Sequence, residues 1–140
     1  MNTKLIKVLI VDDEPAFSEN LHRILSIQDD IAPSCADCGE TALEMLNDTD
    51  CDVVLLDMRM PGLNAIGTYK AMCAMGCDAE VIVLTGHASV DDAMEMMQLG
   101  AFDYLLKPCP TEEIVRKIRW AFQKGQFYKN KKHTGAPRGG

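Results

Sequence analysis

The sequence predicts an α/β fold of the doubly wound kind: a five-stranded parallel sheet in the order 2-1-3-4-5, with helices on both faces. Three observations lead there. Short apolar runs, more continuous than the alternation of a half-exposed strand, recur along the chain and suit strands buried on both faces. Each is followed by a stretch of helical periodicity, at a strand-to-strand spacing of roughly 23 to 25 residues. Five such units fit an open sheet whose topological switch point lies between strands one and three, and ligands bind there, outside the carboxyl ends of the strands.

The elements follow in order. Lys4 to Val11 is a buried strand through Leu5, Ile6, Val8, Leu9, Ile10 and Val11, and it stops at Asp12-Asp13-Glu14-Pro15. Proline suits the first helical turn and acids favour a helix N-terminus, so a helix follows with Phe17, Leu21, Ile24 and Leu25 at core spacing. Ile31 to Ala36 is a short strand weakened by Pro33, which places it near an edge. Gly39 to Leu46 is the second helix, through Ala42, Leu43 and Leu46. Asp52 to Leu56 is the third strand, and its run Val53-Val54-Leu55-Leu56 ends abruptly in the carboxylate of Asp57. Pro61-Gly62 marks a turn before a helix carrying Ile66, Tyr69, Met72 and Cys73, stopped at Gly76. Glu80 to Leu84 is the fourth strand. A helix from about Val90 to Leu99 opens on Asp91 and Asp92 and ends at Gly100. Asp103 to Leu106 is the fifth strand. Thr111 then caps a last helix that turns Ile114, Ile118, Ala121 and Phe122 to the core.

At 140 residues and 47% hydrophobic content the chain can bury one core, and one domain is expected over residues 1–127. Residues 128–140 form a basic, Gly-rich tail expected to lack order. No run approaches the roughly 18 apolar residues of a membrane span, and Met1 to Lys7 lacks a signal-peptide layout, so a cytoplasmic protein without membrane contact is expected. Charge is uneven. Residues 1–113 hold all 21 acids and 6 basic residues, net −15, whereas residues 114–140 hold 8 basic residues and no acid, net +8. Such an acidic body repels phosphate backbones, and no direct nucleic-acid binding is expected of it. The 6 cysteines are read as reduced thiols, because Cys35-x-x-Cys38 has no second pair with which to build a zinc site.

On the predicted sheet the polar residues at strand ends fall together. Asp12 and Asp13 close strand one, Asp57 closes the adjacent strand three, Thr85 closes strand four and Lys107 closes strand five. Each alone has a plainer reading: helix N-terminal charge for the Asp pair, a turn for Thr85, a loop for Lys107-Pro108. Jointly they meet at the edge where this topology binds ligands. Crowded carboxylates raise one another's pKa unless a cation neutralises them, and Mg²⁺, with its preference for oxygen ligands and retained waters, suits such a set. With an ammonium and a hydroxyl opposite, the arrangement suits a carboxylate that accepts a phosphoryl group.

These residues carry a resemblance to the receiver domain of two-component response regulators. Val11-Asp12-Asp13-Glu14, Leu55-Leu56-Asp57-Met58-Arg59-Met60-Pro61-Gly62, Leu84-Thr85-Gly86 and Tyr104-Leu105-Leu106-Lys107-Pro108 resemble its motifs in order, over about Leu5 to Phe122. The resemblance implies a flavodoxin-like fold and a regulatory phosphoacceptor domain that is not an enzyme in its own right but assists its own phosphorylation and dephosphorylation. It implies that Asp57 takes a phosphoryl group from a sensor histidine kinase or a phosphotransfer protein. Mg²⁺ would be bound by Asp13, Asp57 and the Arg59 carbonyl, with Asp12 acting through water. Thr85 and Tyr104 match the switch pair, Gly86 keeps the entry clear beside Thr85, and a cis Lys107-Pro108 bond is implied.

The chain departs from the family pattern at Asn64-Ala65, where Asp-Gly is common, which bears on the loop before the third helix. Arg59 and His87 take the two variable positions that tune phosphoryl lifetime, one as a shield and the other orienting a water, unless both simply face solvent. On the last helix Arg116 and Trp120 point away from the core. Trp120 either anchors an interface, such as a homodimer through helix 4, strand 5 and helix 5, or packs on the chain's own tail. An aspartyl-phosphate hydrolase would need a general acid beside its nucleophile and a cap, and neither is present in the sequence. An unphosphorylated scaffold is the other competitor, and the intact acidic pair, Thr85 and Lys107 speak against it. No output module follows Phe122, so the chain is either a single-domain regulator or part of a longer protein.

Overall fold

The computed structural model describes residues 4–60, 62–86 and 89–133, with side chains to residue 129. Strands and helices alternate: β1 (Ile6–Val11), α1 (Pro15–Ile27), β2 (Ile31–Ala36), α2 (Gly39–Asp48), β3 (Val53–Leu56), α3 (Ala65–Ala74), β4 (Glu80–Thr85), α4 (Val90–Gln98), β5 (Asp103–Leu106) and α5 (Thr111–His133). All strand pairs are parallel, and the order is β2-β1-β3-β4-β5. This is the arrangement expected from the alternation of apolar runs and helical stretches. β2, with its proline, lies at an edge.

The central strand explains why continuous apolar runs were needed. All of Val53, Val54, Leu55 and Leu56 are buried. Because side chains alternate across a strand, Val53 and Leu55 join a core with Leu21 and Leu25 of α1 and Ile114, Val115, Ile118 and Ala121 of α5. Val54 and Leu56 join a second core on the other face, with Ala42 of α2, Tyr69 and Met72 of α3 and Met96 of α4. Covering both faces is what a parallel sheet requires.

The structure corrects some details of the sequence reading. Cys73, given a core position, is exposed, and Ala65 and Thr68 are buried on α3 instead. Phe122 is only partly buried at the margin of the α1–α5 core. α5 does not fade near Tyr128 but continues to His133; the expected order-free tail from residue 134 onward lies outside the described residues. All 6 cysteines are free thiols. Among the described residues, no helix is long and apolar enough to cross a membrane.

Candidate phosphoacceptor site

The register delivers the site. Val11 of β1 pairs with Leu56 of β3, so the residues that follow each strand, Asp12 and Asp57, emerge side by side. The Asp57 N–H donates to the Val11 carbonyl at 3.0 Å, extending the ladder by one residue into the site. Thr85 closes β4 and is fully buried, and its carbonyl accepts the Lys107 N–H at 2.8 Å, which brings the end of β5 to the same rim. Lys107-Pro108 is cis.

Carboxylate oxygens of Asp12, Asp13 and Asp57 all lie within 4.8 Å of one another. Asp12 and Asp57 are each only 4% exposed, while Asp13 is exposed. Both oxygens of Asp12 are engaged: Oδ1 accepts the Glu14 N–H at 2.9 Å, and Oδ2 accepts the Lys107 ammonium at 2.6 Å. Asp57 is different. Its Oδ1 is buried and has no hydrogen-bond partner among the described residues. Burial pushes the Asp57 carboxyl above its ordinary value; a hydrogen bond from the Thr85 hydroxyl opposes this, the Asp12 charge adds to it, and Lys107 and the Arg59 N–H pull back.

An orphaned oxygen on a buried carboxylate, beside two more acids, is what a hard cation with oxygen ligands would satisfy. The residues present therefore fit Mg²⁺: Asp13 and Asp57 have oxygens to offer, and Asp12, already holding two donors, fits a role at one remove. A cleft of about 610 Å³ opens in front of them, lined by Asp13, Glu14, Asp57, Met58, Arg59, Met60 and Gly86. Apart from its chain neighbours, a Cβ on Gly86 would meet no atom of the described residues within 4 Å, and Gly86 lines the cleft.

Asn64-Ala65, standing where the family often has Asp-Gly, falls at the start of α3. Gly62 takes the positive φ of 75° that the turn requires, and the Asn64 side chain caps α3 by accepting the Gly67 N–H at 2.8 Å. Arg59 is exposed on this loop. His87, the second expected tuning residue, lies outside the described residues.

Tyr104 on β5 is half-buried against the second core, and its phenol takes a hydrogen bond from the Ser89 backbone. Burial raises its pKa, and the charges of Asp92 and Asp57 add to the rise. Trp120 is 49% exposed, with Arg116 at 5.5 Å and Lys117 at 5.3 Å over its ring. The sequence reading missed two features. Val90, Met94 and Met97 form an exposed stripe on α4; their i, i+4, i+7 spacing was visible but reads equally as a core face. Phe17, read as core, lies with its ring 3.8 Å from the Lys107 ammonium.

Residues 8–119 match the response regulator receiver domain family. The chain belongs to that family. This receiver domain is 36% identical over 134 residues to the regulatory protein AtoC of Escherichia coli, covering 94% of this chain and 28% of AtoC. It is 36% identical over 119 residues to the positive alginate biosynthesis regulatory protein of Pseudomonas aeruginosa, covering 83% of this chain and 47% of that protein. The chain thus spans about a quarter to a half of these relatives. Among solved structures, a response regulator receiver domain protein from Clostridium thermocellum superposes with a TM-score of 0.82 at 30% identity, covering 89% of this chain and 99% of that one. A CheY-like receiver domain protein from Methanospirillum hungatei, at 21% identity and a TM-score of 0.84, shares the fold; the alignment covers 89% of this chain and 99% of that one. The receiver domain is a regulatory part of two-component signalling.

Proposed function

We propose that this receiver domain accepts a phosphoryl group on Asp57 from the phosphohistidine of a sensor histidine kinase or phosphotransfer protein. The observation that carries the reading is the Asp12, Asp13 and Asp57 cluster, with carboxylate oxygens within 4.8 Å of one another and Lys107 and Thr85 beside it. An Asp57 carboxylate oxygen attacks phosphorus, the N–P bond breaks, and the imidazole leaves with the bonding pair. Charge then spreads over the equatorial phosphoryl oxygens. Lys107 would turn its ammonium from Asp12 to one of them, and the Thr85 hydroxyl would turn from the Asp57 carboxylate to another. Asp13, Asp57 and the Arg59 carbonyl, with Asp12 behind, would hold Mg²⁺, which would supply positive charge to the transferring phosphoryl group.

By the same reading, movement of the Thr85 hydroxyl is passed to Tyr104, which would give up its hydrogen bond from the Ser89 backbone as the ring turns inward. The surface so altered is that of α4, β5 and α5, where Val90, Met94, Met97, Leu106 and Trp120 are exposed. A phosphorylation-dependent homodimer or effector contact there follows, and equal sedimentation with and without a phosphoryl mimic would count against it. The main test is incubation with Mg²⁺ and acetyl phosphate followed by intact mass. One added phosphate is expected, lost when Mg²⁺ is chelated and in Asp57→Asn; no gain in the unaltered protein would overturn the reading.

A further inference from the structure

Lys107 is surrounded on three sides before any phosphoryl group arrives. Its ammonium lies 2.6 Å from Asp12 Oδ2, 3.5 Å from Glu14 Oε1 and 3.8 Å from the centre of the Phe17 ring. The side chain is only 13% exposed. Asp12 gives the tight contact, Glu14 reaches in from solvent, and Phe17 covers the remaining side with the negative face of its π-system. The ring is itself fixed, since Phe17 sits on the first full turn of α1 and packs against the core shared by α1 and α5.

We propose that Phe17 is a positioning residue for Lys107, holding its ammonium over the ring face so that it passes from Asp12 to a phosphoryl oxygen without being released to water. This rests on the phosphoacceptor reading of Asp57. The need arises from Asp12, which grips the ammonium at 2.6 Å: when a phosphoryl oxygen competes for it, that contact has to be given up. A lysine set loose on a four-carbon stem would rehydrate and spread over many rotamers. A ring that attracts the cation without accepting a directed hydrogen bond keeps it near while leaving its N–H donors free to re-aim. Leucine would fill similar space but carries no quadrupole; tyrosine retains it.

The experiment is binding of beryllofluoride, a phosphoryl mimic, in the presence of saturating Mg²⁺, with Mg²⁺ binding alone measured in parallel. Phe17→Leu is expected to weaken mimic affinity about tenfold and to leave Mg²⁺ affinity unchanged, and Phe17→Tyr to restore mimic affinity. In a Lys107→Ala background Phe17→Leu should cost nothing further, because the ring acts only through the ammonium. A readout free of metal and mimic is the proton NMR of the Lys107 ε-methylene, expected upfield from the ring current and shifted back in Phe17→Leu. Equal mimic affinity in Phe17→Leu and the unaltered protein, or an equal loss in both Lys107 backgrounds, overturns the proposal alone. An unaltered protein that binds no mimic and takes no phosphate overturns the phosphoacceptor reading and this one with it.

Discussion

At the scale of the residue, Asp57 is a cost to the metal-free fold. Its carboxylate is buried, one oxygen lacks a partner among the described residues, and burial followed by the Asp12 charge holds its pKa above the ordinary value against the pull of Thr85, Lys107 and Arg59. A carboxyl whose folded pKa is raised binds its proton more tightly folded than unfolded. The folded state is therefore destabilised progressively as pH rises from the unfolded value of roughly 3.9 through the raised folded value, and the full cost stands above it. Asp57→Asn removes the charge and keeps the shape. It is expected to raise the melting temperature of metal-free protein at pH 7, by an amount corresponding to roughly 1–2 kcal/mol, with the gap closing as pH falls and Asp57 takes up its proton. Saturating Mg²⁺ should also narrow it, because only the carboxylate offers the cation a full negative charge. Thermal melts of both proteins across pH, with and without Mg²⁺, check the sign; an asparagine variant less stable at pH 7 without metal would mean that Asp57 is well satisfied as an anion.

At the scale of the element, the loops that present the site are fixed by helix N-termini. The backbone of α2 begins against the loop after β3: a Cβ at Gly39 would collide with Thr68 Oγ1 and fall 3.1 Å from the Leu63 carbonyl oxygen. The Thr68 hydroxyl is in turn committed, donating to the Asn64 carbonyl at 2.8 Å. Glu40, one residue on, accepts the Leu63 N–H at 3.4 Å, so the start of α2 holds the residues that lead into α3. Gly39→Ala should cost about 1–3 kcal/mol in urea unfolding, and distinctly less in a Thr68→Ala background, where the obstructing oxygen is gone. Equal costs in the two backgrounds would show that α2 shifts freely. None of this was legible in the sequence, because it depends on where two helices separated by a strand come to rest. The strands were legible, since an unbroken run such as Val53-Val54-Leu55-Leu56 has few alternatives to a central strand. So was the convergence of Asp12, Asp13, Asp57, Thr85 and Lys107, because a doubly wound sheet fixes which strand ends are neighbours. The Phe17 ring over Lys107 was not, because apolar spacing on α1 marks Phe17 as core and says nothing of the charge beside its face.

At the scale of the whole molecule, the charge division along the chain has a structural outcome. The basic last helix lies along the acidic body: Lys117 pairs with Asp103 at 2.7 Å, Arg119 with Asp30 at 2.8 Å, Lys124 with Glu80 at 3.6 Å, and Lys129 with both Asp52 and Asp78 at 3.9 Å. These pairs reach acids from β2's approach, the starts of β3 and β4, and β5, so the helix is tied across the sheet and not to one neighbour. The sequence showed the asymmetry and placed a loose basic tail from residue 128 onward. What it could not show is that Asp52, Asp78 and Glu80 gather where the C-terminal half of α5 passes. Past Phe122 that half adds little to the core, and Phe127 and Tyr128 are exposed. Electrostatic attachment should therefore matter more there than in the first turns, where Ile114 and Ile118 are buried. Exposed pairs contribute only about 0.2–1 kcal/mol each and are screened by salt. Replacing Lys124 and Lys129 together by glutamine is accordingly expected to cost about 1 kcal/mol or less globally, yet to speed amide exchange selectively beyond residue 123, an effect that shrinks in molar salt. Uniform loss of protection along α5 would instead mean that the helix opens as one unit with the core, whereas unchanged exchange at low salt would mean that the ion pairs hold nothing that the backbone does not already hold.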